Sequence, residues 1–489
     1  MRHILSKSTF LYGTQCPKRL YFYKFRRDLL GEISASQQAI FDRGTSVGEL
    51  ARDLFPGGVD ASPASPYDYA KSVLVTKQMI DAGEKIIYEA AFQYEGVLAA
   101  VDILVKKNGK WKAYEVKSST SVKEVNILDA ALQYHVITNS GIDLADIFIV
   151  HLNNEYVRKK NLVIEELFSI VSVKNDALEN QTFVIEKISE LLDLIKSKKE
   201  PKQDIGPHCS DPYTCDFMDH CWKHIPEPSV FNLTGMRSAK KFEFYEQGII
   251  KISDLPDSTQ LSDYQHIQME AYLKNKKNID KENLRDFLKD FRYPLYFMDF
   301  ESFQPAVPLY RNSRPYQQIP FQYSLHYLKD KMSNAHHSEF LAESNGDPRI
   351  PFIEKLLEDT KSAGKIVTYN MSFERMILNS IANDFPQYAE DIEDRCERLL
   401  DLMPPFRKGW YYKPEMDGSY SIKQVLPALV PDLTYDELEI ADGGSASLAF
   451  EQILFDPNAD TEKIRSQLLE YCKMDTLAMI KLLAVLEKV

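Results

Sequence analysis

Residues 86–119 constrain the fold of this 489-residue chain more than any other stretch, because they predict two consecutive β-hairpins. Alternating and β-branched runs are interrupted at Glu95-Gly96 and at Asn108-Gly109. An Asn-Gly pair between such runs is a strong signal for a two-residue hairpin turn. If both pairs form such turns, the residue numbers of two paired residues add up to 191 across the first turn and to 217 across the second. The sequence therefore predicts three adjacent antiparallel strands.

These registers also align three acidic residues on one face of the predicted sheet. Glu89 falls opposite Asp102, and Asp102 falls opposite Glu115. Cross-strand neighbours lie about 5 Å apart, and like charges at that distance destabilise a sheet unless a cation compensates them. Lys117 lies on the same face as Glu115, because strand side chains alternate between faces. The row predicts a Mg²⁺ or Mn²⁺ site with a lysine that orients or deprotonates an attacking water.

Composition and the N-terminus limit the class of protein. At about 100–200 residues per domain, the length predicts two to four domains. The net charge of −13 does not suggest a protein coated in nucleic acid, but an enzyme that acts on nucleic acid needs only a local basic channel. The N-terminus lacks a continuous apolar segment, and no run approaches the roughly 18 apolar residues of a membrane helix. We therefore expect a cytoplasmic protein without a membrane association.

Clustered cysteines form a second unusual feature of the sequence. Cys209, Cys215 and Cys221 are separated by two equal gaps of five residues. In a reducing compartment, such clusters bind metal or perform redox chemistry more often than they form disulfides. A four-ligand site requires one more thiolate from a distant part of the chain. The remaining cysteines are Cys16, Cys396 and Cys472.

The last part of the chain carries another set of acidic residues. The segment RYPLYFMDFESF predicts a buried strand with Asp299 and Glu301 on one side, where two carboxylates are costly to bury unless they coordinate a cation. The segment KIVTYNMSFERMIL predicts a strand that leads into a helix with Glu374. On a predicted final helix, Tyr471 and Asp475 are four residues apart and therefore share one face. These residues predict a second metal site.

Asp102, together with a Glu-x-Lys tripeptide from Glu115 to Lys117, resembles the core of PD-(D/E)XK nucleases, specifically the RecB-like branch. This resemblance implies a restriction-endonuclease-like fold in which these three residues and Glu89 are catalytic. Asp102 and Glu115 would be metal ligands. Gln133, on the following helix, would contact the substrate or support a ligand.

Some members of this branch, among them CRISPR-associated RecB-like exonucleases and AddB-type helicase-nuclease subunits, carry an iron-sulfur cluster. They have one cysteine before the nuclease core and three after it, and the resemblance identifies Cys16 as the missing fourth ligand. A [4Fe-4S] cluster would tie the two ends of the domain together, with structural zinc as the alternative because four thiolates suit both. Cys396 and Cys472 would then be ordinary buried thiols. The ligands would be Cys16, Cys209, Cys215 and Cys221.

The later motifs resemble those of DnaQ-like exonucleases, which have an RNase H-like fold and remove nucleotides from 3′ ends. They are Asp-x-Glu on a first strand, Asn-x-x-Phe-Glu at a strand-helix junction and Tyr-x-x-x-Asp on a final helix. The resemblance implies that Tyr471 orients the attacking water, and Asp401 is an alternative to Glu374 as the second-motif carboxylate. The implied ligands of Mg²⁺ or Mn²⁺ are Asp299, Glu301, Glu374 and Asp475.

As a whole, the chain resembles bacterial proteins that fuse an iron-sulfur RecB-like nuclease to a DnaQ-like exonuclease. The predicted class is α/β, with a PD-(D/E)XK domain stapled by four cysteines at residues 1–225, a helical connector at 226–290 and an RNase H-like domain at 291–489. In the connector, FYEQGIIKISDLP resembles a helix-hairpin-helix, or is a plain helical packing unit.

The expected function is hydrolysis of DNA, at single-stranded ends or flaps, in repair, recombination or defence. RNA is an alternative substrate, because no motif reads a 2′-hydroxyl. The first domain is alternatively a DNA-binding module without catalysis, and a third reading is a redox or nucleic-acid sensor with no turnover. The sequence does not identify a protein partner.

Overall fold

The computed structural model describes residues 4–65, 68–435 and 438–489. The chain divides into two compact units, formed by Met1–His224 with Ala306–Tyr316 and by Ile225–Pro305 with Gln317–Val489. Each unit combines a sheet with helices, so the predicted α/β class is confirmed. None of the helices in these ranges is both long and apolar enough to cross a membrane.

The first unit is built on one mixed sheet with the strand order β2-β3-β4-β5-β6-β7, and β1 pairs with β4. Pairing is parallel for β1 with β4, β2 with β3 and β5 with β6, and antiparallel elsewhere. The strands are β1 (Leu5–Ser6), β2 (Val59–Asp60), β3 (Ile86–Tyr94), β4 (Val97–Lys107), β5 (Lys110–Lys117), β6 (Leu144–Leu152) and β7 (Phe168–Ser172). The helices are α1 (Lys7–Gln15), α2 (Pro17–Phe25), α3 (Ala35–Ala51), α4 (Tyr69–Ala82), α5 (Glu124–Asn139), α6 (Ile164–Leu167), α7 (Lys174–Glu179), α8 (Gln181–Ser197) and α9 (Met218–Cys221).

Both predicted hairpin registers are confirmed. Tyr88 pairs with Ile103, as the sum of 191 requires, and Ile103 pairs with Tyr114, as the sum of 217 requires. All turn residues adopt the positive φ that a type I′ turn demands. Their φ angles are 45° at Glu95, 82° at Gly96, 54° at Asn108 and 80° at Gly109.

Helices cover one face of this sheet, and that face carries the acidic row. Leu104 of β4 and Ala113 of β5 join one core with Ala130 of α5 and Leu191 of α8. Helix α1 packs closely here, because a Cβ atom at Gly13 would lie only 2.6 Å from the side chain of Leu191. The row is therefore directed toward α1 and α5.

The second unit contains a mixed sheet of order β11-β10-β9-β12-β13 and a small β14-β8 pair. Strand β9 is central, with an antiparallel neighbour in β10 and a parallel neighbour in β12. The strands are β8 (Asn278–Ile279), β9 (Leu295–Phe303), β10 (Ile319–Leu328), β11 (His336–Leu341), β12 (Lys365–Thr368), β13 (Leu399–Asp401) and β14 (Tyr411–Tyr412). The helices are α10 (Ser238–Glu246), α11 (Asp263–Lys274), α12 (Lys281–Phe287), α13 (Arg349–Asp359), α14 (Ser372–Asp384), α15 (Ala389–Arg398), α16 (Pro404–Arg407), α17 (Ile422–Leu429), α18 (Gly443–Phe455) and α19 (Thr461–Leu486).

Strand β9 separates an apolar core from a polar site. Met298 and Phe300 join the core that β9 and β10 form with α13, α14 and α15. Asp299 lies on the other side, where the Sγ atom of Cys472 on α19 is 3.8 Å from its carboxylate. Glu301 lies beside the start of α18, because a Cβ atom at Gly443 would be 3.4 Å from its Oε2 atom. The alternation predicted from the sequence therefore holds along β9.

The predicted connector at 226–290 lies within the second unit. The Thr234 hydroxyl donates to the Gly418 carbonyl at 2.6 Å, and β8 pairs with β14. After α10, the chain turns at Gly248, which has a φ of 78°, and continues into a single 3₁₀ turn at Ile252–Asp254. This segment is thus integrated into the unit that contains the later acidic residues.

The segment Ala306–Tyr316 belongs to the first unit, although β9 and β10 on either side of it belong to the second. Ala306 is 5% exposed and joins a cluster with Val47 of α3 and Tyr114 of β5. The Tyr316 hydroxyl donates to the carbonyl of Ser118. The core of the first unit is therefore incomplete without residues 306–316.

We expect residues 1–224 to be more stable when a flexible linker attaches residues 306–316 than when expressed alone. Restoring the buried apolar surface should add about 2 kcal/mol to the free energy of unfolding, measured by urea denaturation. A fusion with Val307→Asp provides the control, because Val307 packs in this cluster. Equal stability of the three fragments would contradict the assignment.

Candidate functional site

Glu115 is the centre of the acidic site in the first unit, and it is only 1% exposed. Its Oε1 atom accepts hydrogen bonds from Lys7 at 2.6 Å and from Lys117 at 2.7 Å, and Oε2 accepts one from Gln133 at 2.9 Å. Burial acts to raise the pKa of Glu115, but the two ammonium groups outweigh it and lower the pKa to about 2. This carboxylate is therefore ionised and fully hydrogen-bonded.

Asp102 lies on the strand between those of Glu89 and Glu115, as the predicted registers require. Asp102 accepts a hydrogen bond from the backbone amide of Val116 at 2.5 Å. Burial, followed by the charge of Glu115, raises the pKa of Asp102 to about 7. Glu89 has a φ of 55° and lies 3.6 Å from Arg52. A left-handed conformation at a glutamate is strained, and such strain is concentrated at functional sites.

Lys117 is a fixed cation in this arrangement. Its ammonium group donates to Asp129 at 2.6 Å as well as to Glu115. Burial acts to lower the pKa of Lys117, but these two carboxylates outweigh it and raise the pKa. Of the two predicted roles, orientation of a water or a phosphate fits a protonated lysine, whereas proton abstraction does not.

The four cysteines predicted to act together line one cavity of about 200 Å³. Lys18 and Arg19 contribute positive charge to its wall. Burial raises the pKa of the Cys215 thiol to about 11, so a bound cation is needed to stabilise the thiolate form. The cysteines are Cys16, Cys209, Cys215 and Cys221.

The sulfur atoms of these cysteines are not arranged as a preformed tetrahedral site. In the described part of the chain, no three cysteines bring their sulfurs within 4.8 Å of one another. Tetrahedral zinc, with Zn–S bonds of about 2.3 Å, requires sulfurs about 3.8 Å apart. Four thiolates are a donor set that suits either a four-iron cluster or a single zinc ion.

Side-chain contacts already fasten the cysteine segment to the N-terminal helices. The Gln15 amide donates to the carbonyls of His208 and Tyr213, each at 2.7 Å. The Arg19 guanidinium contacts Asp216 at 2.7 Å. Contacts within the protein therefore hold the residues near Cys16 close to the three later cysteines.

The second unit contains a compact carboxylate triad. Asp299, Glu301 and Asp475 place one oxygen each within 4.8 Å of the others, and within the described ranges no other set of metal-ligating groups meets this criterion. Burial, followed by the charge of Asp475, raises the pKa of both Asp299 and Glu301 well above the usual range. A divalent cation at this triad would relieve both effects, because it would supply positive charge.

Two tyrosines hold the third carboxylate of this triad. Tyr435 donates to Asp475 at 2.6 Å, and Tyr471 also hydrogen-bonds it. Burial raises the pKa of Asp475 to about 6, although these hydrogen bonds and the charge of Lys423 oppose the increase. The Lys423 ammonium lies 5.2 Å from the centre of the Tyr471 ring.

Glu374 and Asp401, the two candidates for the second motif, have different environments. Asp401 accepts hydrogen bonds from the backbone amides of Asn370 at 3.1 Å and Met403 at 2.9 Å. Glu374 is 1% exposed, and its buried Oε2 atom has no hydrogen-bond partner among the described residues. Burial raises the pKa of Glu374 to about 8. Glu374 therefore has a buried carboxylate oxygen without a partner among the described residues, although it lies outside the triad.

Sequence reasoning missed several residues of these sites. Asp129 could have been found, because it lies four residues before Gln133 on the same face of α5. No nearby residues in the sequence indicated a role for Lys7 or Tyr435, since the carboxylates that they contact are distant in sequence. Only the fold brings these side chains to the sites.

Comparison with known proteins gives one partial match. A family model described as "Domain of unknown function (DUF2779)" matches residues 296–421. This range starts within β9 and includes Glu374 and Asp401, but it ends before Asp475. A search of curated proteins finds no significant match to the chain.

We expect Asp299→Asn to stabilise the metal-free protein at pH 7.5 by about 1–3 kcal/mol, because it removes one buried like charge. The same substitution should abolish stabilisation by Mn²⁺, which for the unsubstituted chain should reach about 2.7 kcal/mol at 100 times the Kd. Thermal unfolding with and without Mn²⁺ measures both effects. Asp257→Asn, at an exposed position of the second unit, is the matched control. If Asp299→Asn left both quantities unchanged, the triad would not be a metal site.

Proposed function

We propose that the chain is a metal-dependent nuclease whose principal hydrolytic site is in the second unit. The triad of Asp299, Glu301 and Asp475 carries this proposal, because one half-buried and two buried carboxylates converge and none forms an ion pair within the described residues. Mutual repulsion of this kind is tolerated where a divalent cation neutralises it. Phosphodiester hydrolysis uses such cations, since positioning and charge stabilisation at phosphate oxygens provide most of the catalysis.

When bound, Mg²⁺ or Mn²⁺ supplies charge neutralisation and Lewis acidity at the phosphate. The triad would hold the first ion, and Glu374 would contribute to a second. Tyr435 and Tyr471 fix the orientation of Asp475 through hydrogen bonds. Lys423 provides positive charge at the same site and is suited to attract a substrate phosphate.

The expected class is a DnaQ-like 3′–5′ exonuclease with an RNase H-like fold. Supporting observations are the three motifs in order and the mixed sheet, in which β9 has an antiparallel neighbour on one side and a parallel neighbour on the other. DNA with single-stranded ends or flaps is the proposed substrate, with RNA as the alternative. Both contain the phosphodiester bonds on which the site is proposed to act.

For the first unit we propose a RecB-like PD-(D/E)XK nuclease core with a [4Fe-4S] cluster. The hairpin registers that align Glu89, Asp102 and Glu115 support this proposal. So does the cavity lined by Cys16 and the three later cysteines. The alternative is that this unit binds DNA without cutting it, and the engagement of Glu115 by Lys7 favours that reading.

We expect the purified chain to degrade 5′-labelled single-stranded DNA from its 3′ end when Mn²⁺ is present. Asp299→Ala should reduce the rate by about 10³-fold or more, since it removes a ligand that acts on the transition state. Asp257→Ala serves as the control with full activity. Product ladders on denaturing gels, measured in parallel for a matched RNA oligonucleotide, give the substrate preference.

Asp102→Ala in the same assay assigns the role of the first unit. Loss of a second cutting pattern, such as internal or 5′-end cleavage, would indicate two active nucleases. Unchanged products would indicate that the first unit only binds. Absence of turnover in the unsubstituted chain with Mn²⁺ on every substrate would contradict the proposed function.

We expect the protein purified without oxygen to be brown and to contain about four iron atoms per chain, as one [4Fe-4S] cluster requires. Cys215→Ala should lose the visible absorption and most of the iron, whereas Cys396→Ala should keep both. Iron, sulfide and zinc are quantified on the same sample. Colourless protein with one zinc per chain would instead support the structural zinc site.

A further inference from the structure

Lys7 occupies a fixed position at the acidic row of the first unit. Its backbone begins α1 directly after β1, and β1 is held by pairing of Leu5 with Val97. From this position its ammonium group donates to Glu115 Oε1 at 2.6 Å and to the Ala100 carbonyl at 3.4 Å. Because the backbone at Lys7 is held in place and its ammonium group has two acceptors, the Lys7 side chain has little freedom to move away from Glu115.

The packing of α1 reinforces this placement. Ser6 caps the helix through a hydrogen bond from the Thr9 amide. A Cβ atom at Gly13 would lie 2.6 Å from Leu191 and 2.9 Å from Leu20, so the helix is packed too closely to shift there. The Lys7 side chain is 25% exposed, and Glu115 beneath it is almost completely enclosed.

Lys7 acts as a counterion at the acidic row, because its ammonium group contacts the buried carboxylate of Glu115. The triad of the second unit lacks such an ammonium group at hydrogen-bond distance within the described residues, and it alone gathers carboxylates as a metal ligand set. The two acidic sites therefore differ in how their charge is compensated.

We propose that Lys7 is a built-in cation of the first unit, and that a divalent metal ion binds Asp102 and Glu115 only by displacing the Lys7 ammonium from Glu115. This goes beyond the proposed function, because it concerns metal binding alone and holds whether or not the chain cuts nucleic acid. Its consequence is that the first unit binds Mn²⁺ or Mg²⁺ weakly as long as Lys7 is present.

The test uses the full chain with Asp299→Asn and Glu301→Gln, which silence the triad and leave the first unit as the remaining site. Mn²⁺ binding is measured from the electron paramagnetic resonance signal of free Mn²⁺ during titration. Adding Lys7→Met should tighten binding by about tenfold or more, because a charge-assisted hydrogen bond no longer has to be broken.

Two control variants distinguish competition between Lys7 and the metal ion for Glu115 from the general effect of removing a positive charge. Lys7→Arg keeps a cation at the same position and should retain the weak binding. Lys174→Met removes a lysine of the same unit whose ammonium contacts the Ala145 carbonyl at 2.8 Å, and it should also leave binding unchanged. Thermal unfolding of each variant verifies that the chain is folded.

If Lys7→Met does not fold, Lys7→Gln takes its place, since glutamine remains able to donate to Glu115 but carries no charge. The same increase in Mn²⁺ affinity is expected. Unchanged affinity in the folded variant would overturn the proposal, and weaker affinity would show that Lys7 supports the metal instead of competing with it. Neither result depends on nuclease activity. A result that overturns this proposal is therefore distinct from one that contradicts the proposed nuclease function.

Discussion

Buried carboxylates need a positive partner, and the arrangement of both acidic sites follows from this requirement. In the first unit, the ammonium groups of Lys7 and Lys117 share one oxygen of Glu115. In the second unit, Asp299 and Glu301 have no partner of this kind within the described residues, and their pKa values are raised well above normal. The first site is neutralised by the protein itself, whereas the second needs a cation from solution.

Local patterns in the sequence were sufficient for the parts of the fold that depend on neighbouring residues. Two turns fixed the registers of β3, β4 and β5, because a two-residue loop leaves one pairing available. Alternation placed Asp299 and Glu301 on one side of β9. The contacts of Lys7 and Tyr435 could not be derived in this way, since they depend on how distant elements pack. The same reason explains why residues 306–316 were not assigned to the first unit.

The cysteine cavity illustrates a further limit of sequence patterns. The spacing of Cys209, Cys215 and Cys221 indicated a metal or redox centre but left the fourth position and the kind of centre open. The fold brings Cys16 to the same cavity. Within the described residues, no three of the sulfurs lie within 4.8 Å of one another, which is information that only the fold provides.

Helix α1 lies between the acidic row of the first unit and the cysteine cavity. It begins at Lys7, which contacts Glu115, and Cys16 caps its other end. Nine helical residues span about 13 Å, and close packing at Gly13 makes this segment stiff. Helix α1 therefore joins the cysteine cavity to the carboxylate of Glu115 through one continuous and closely packed element.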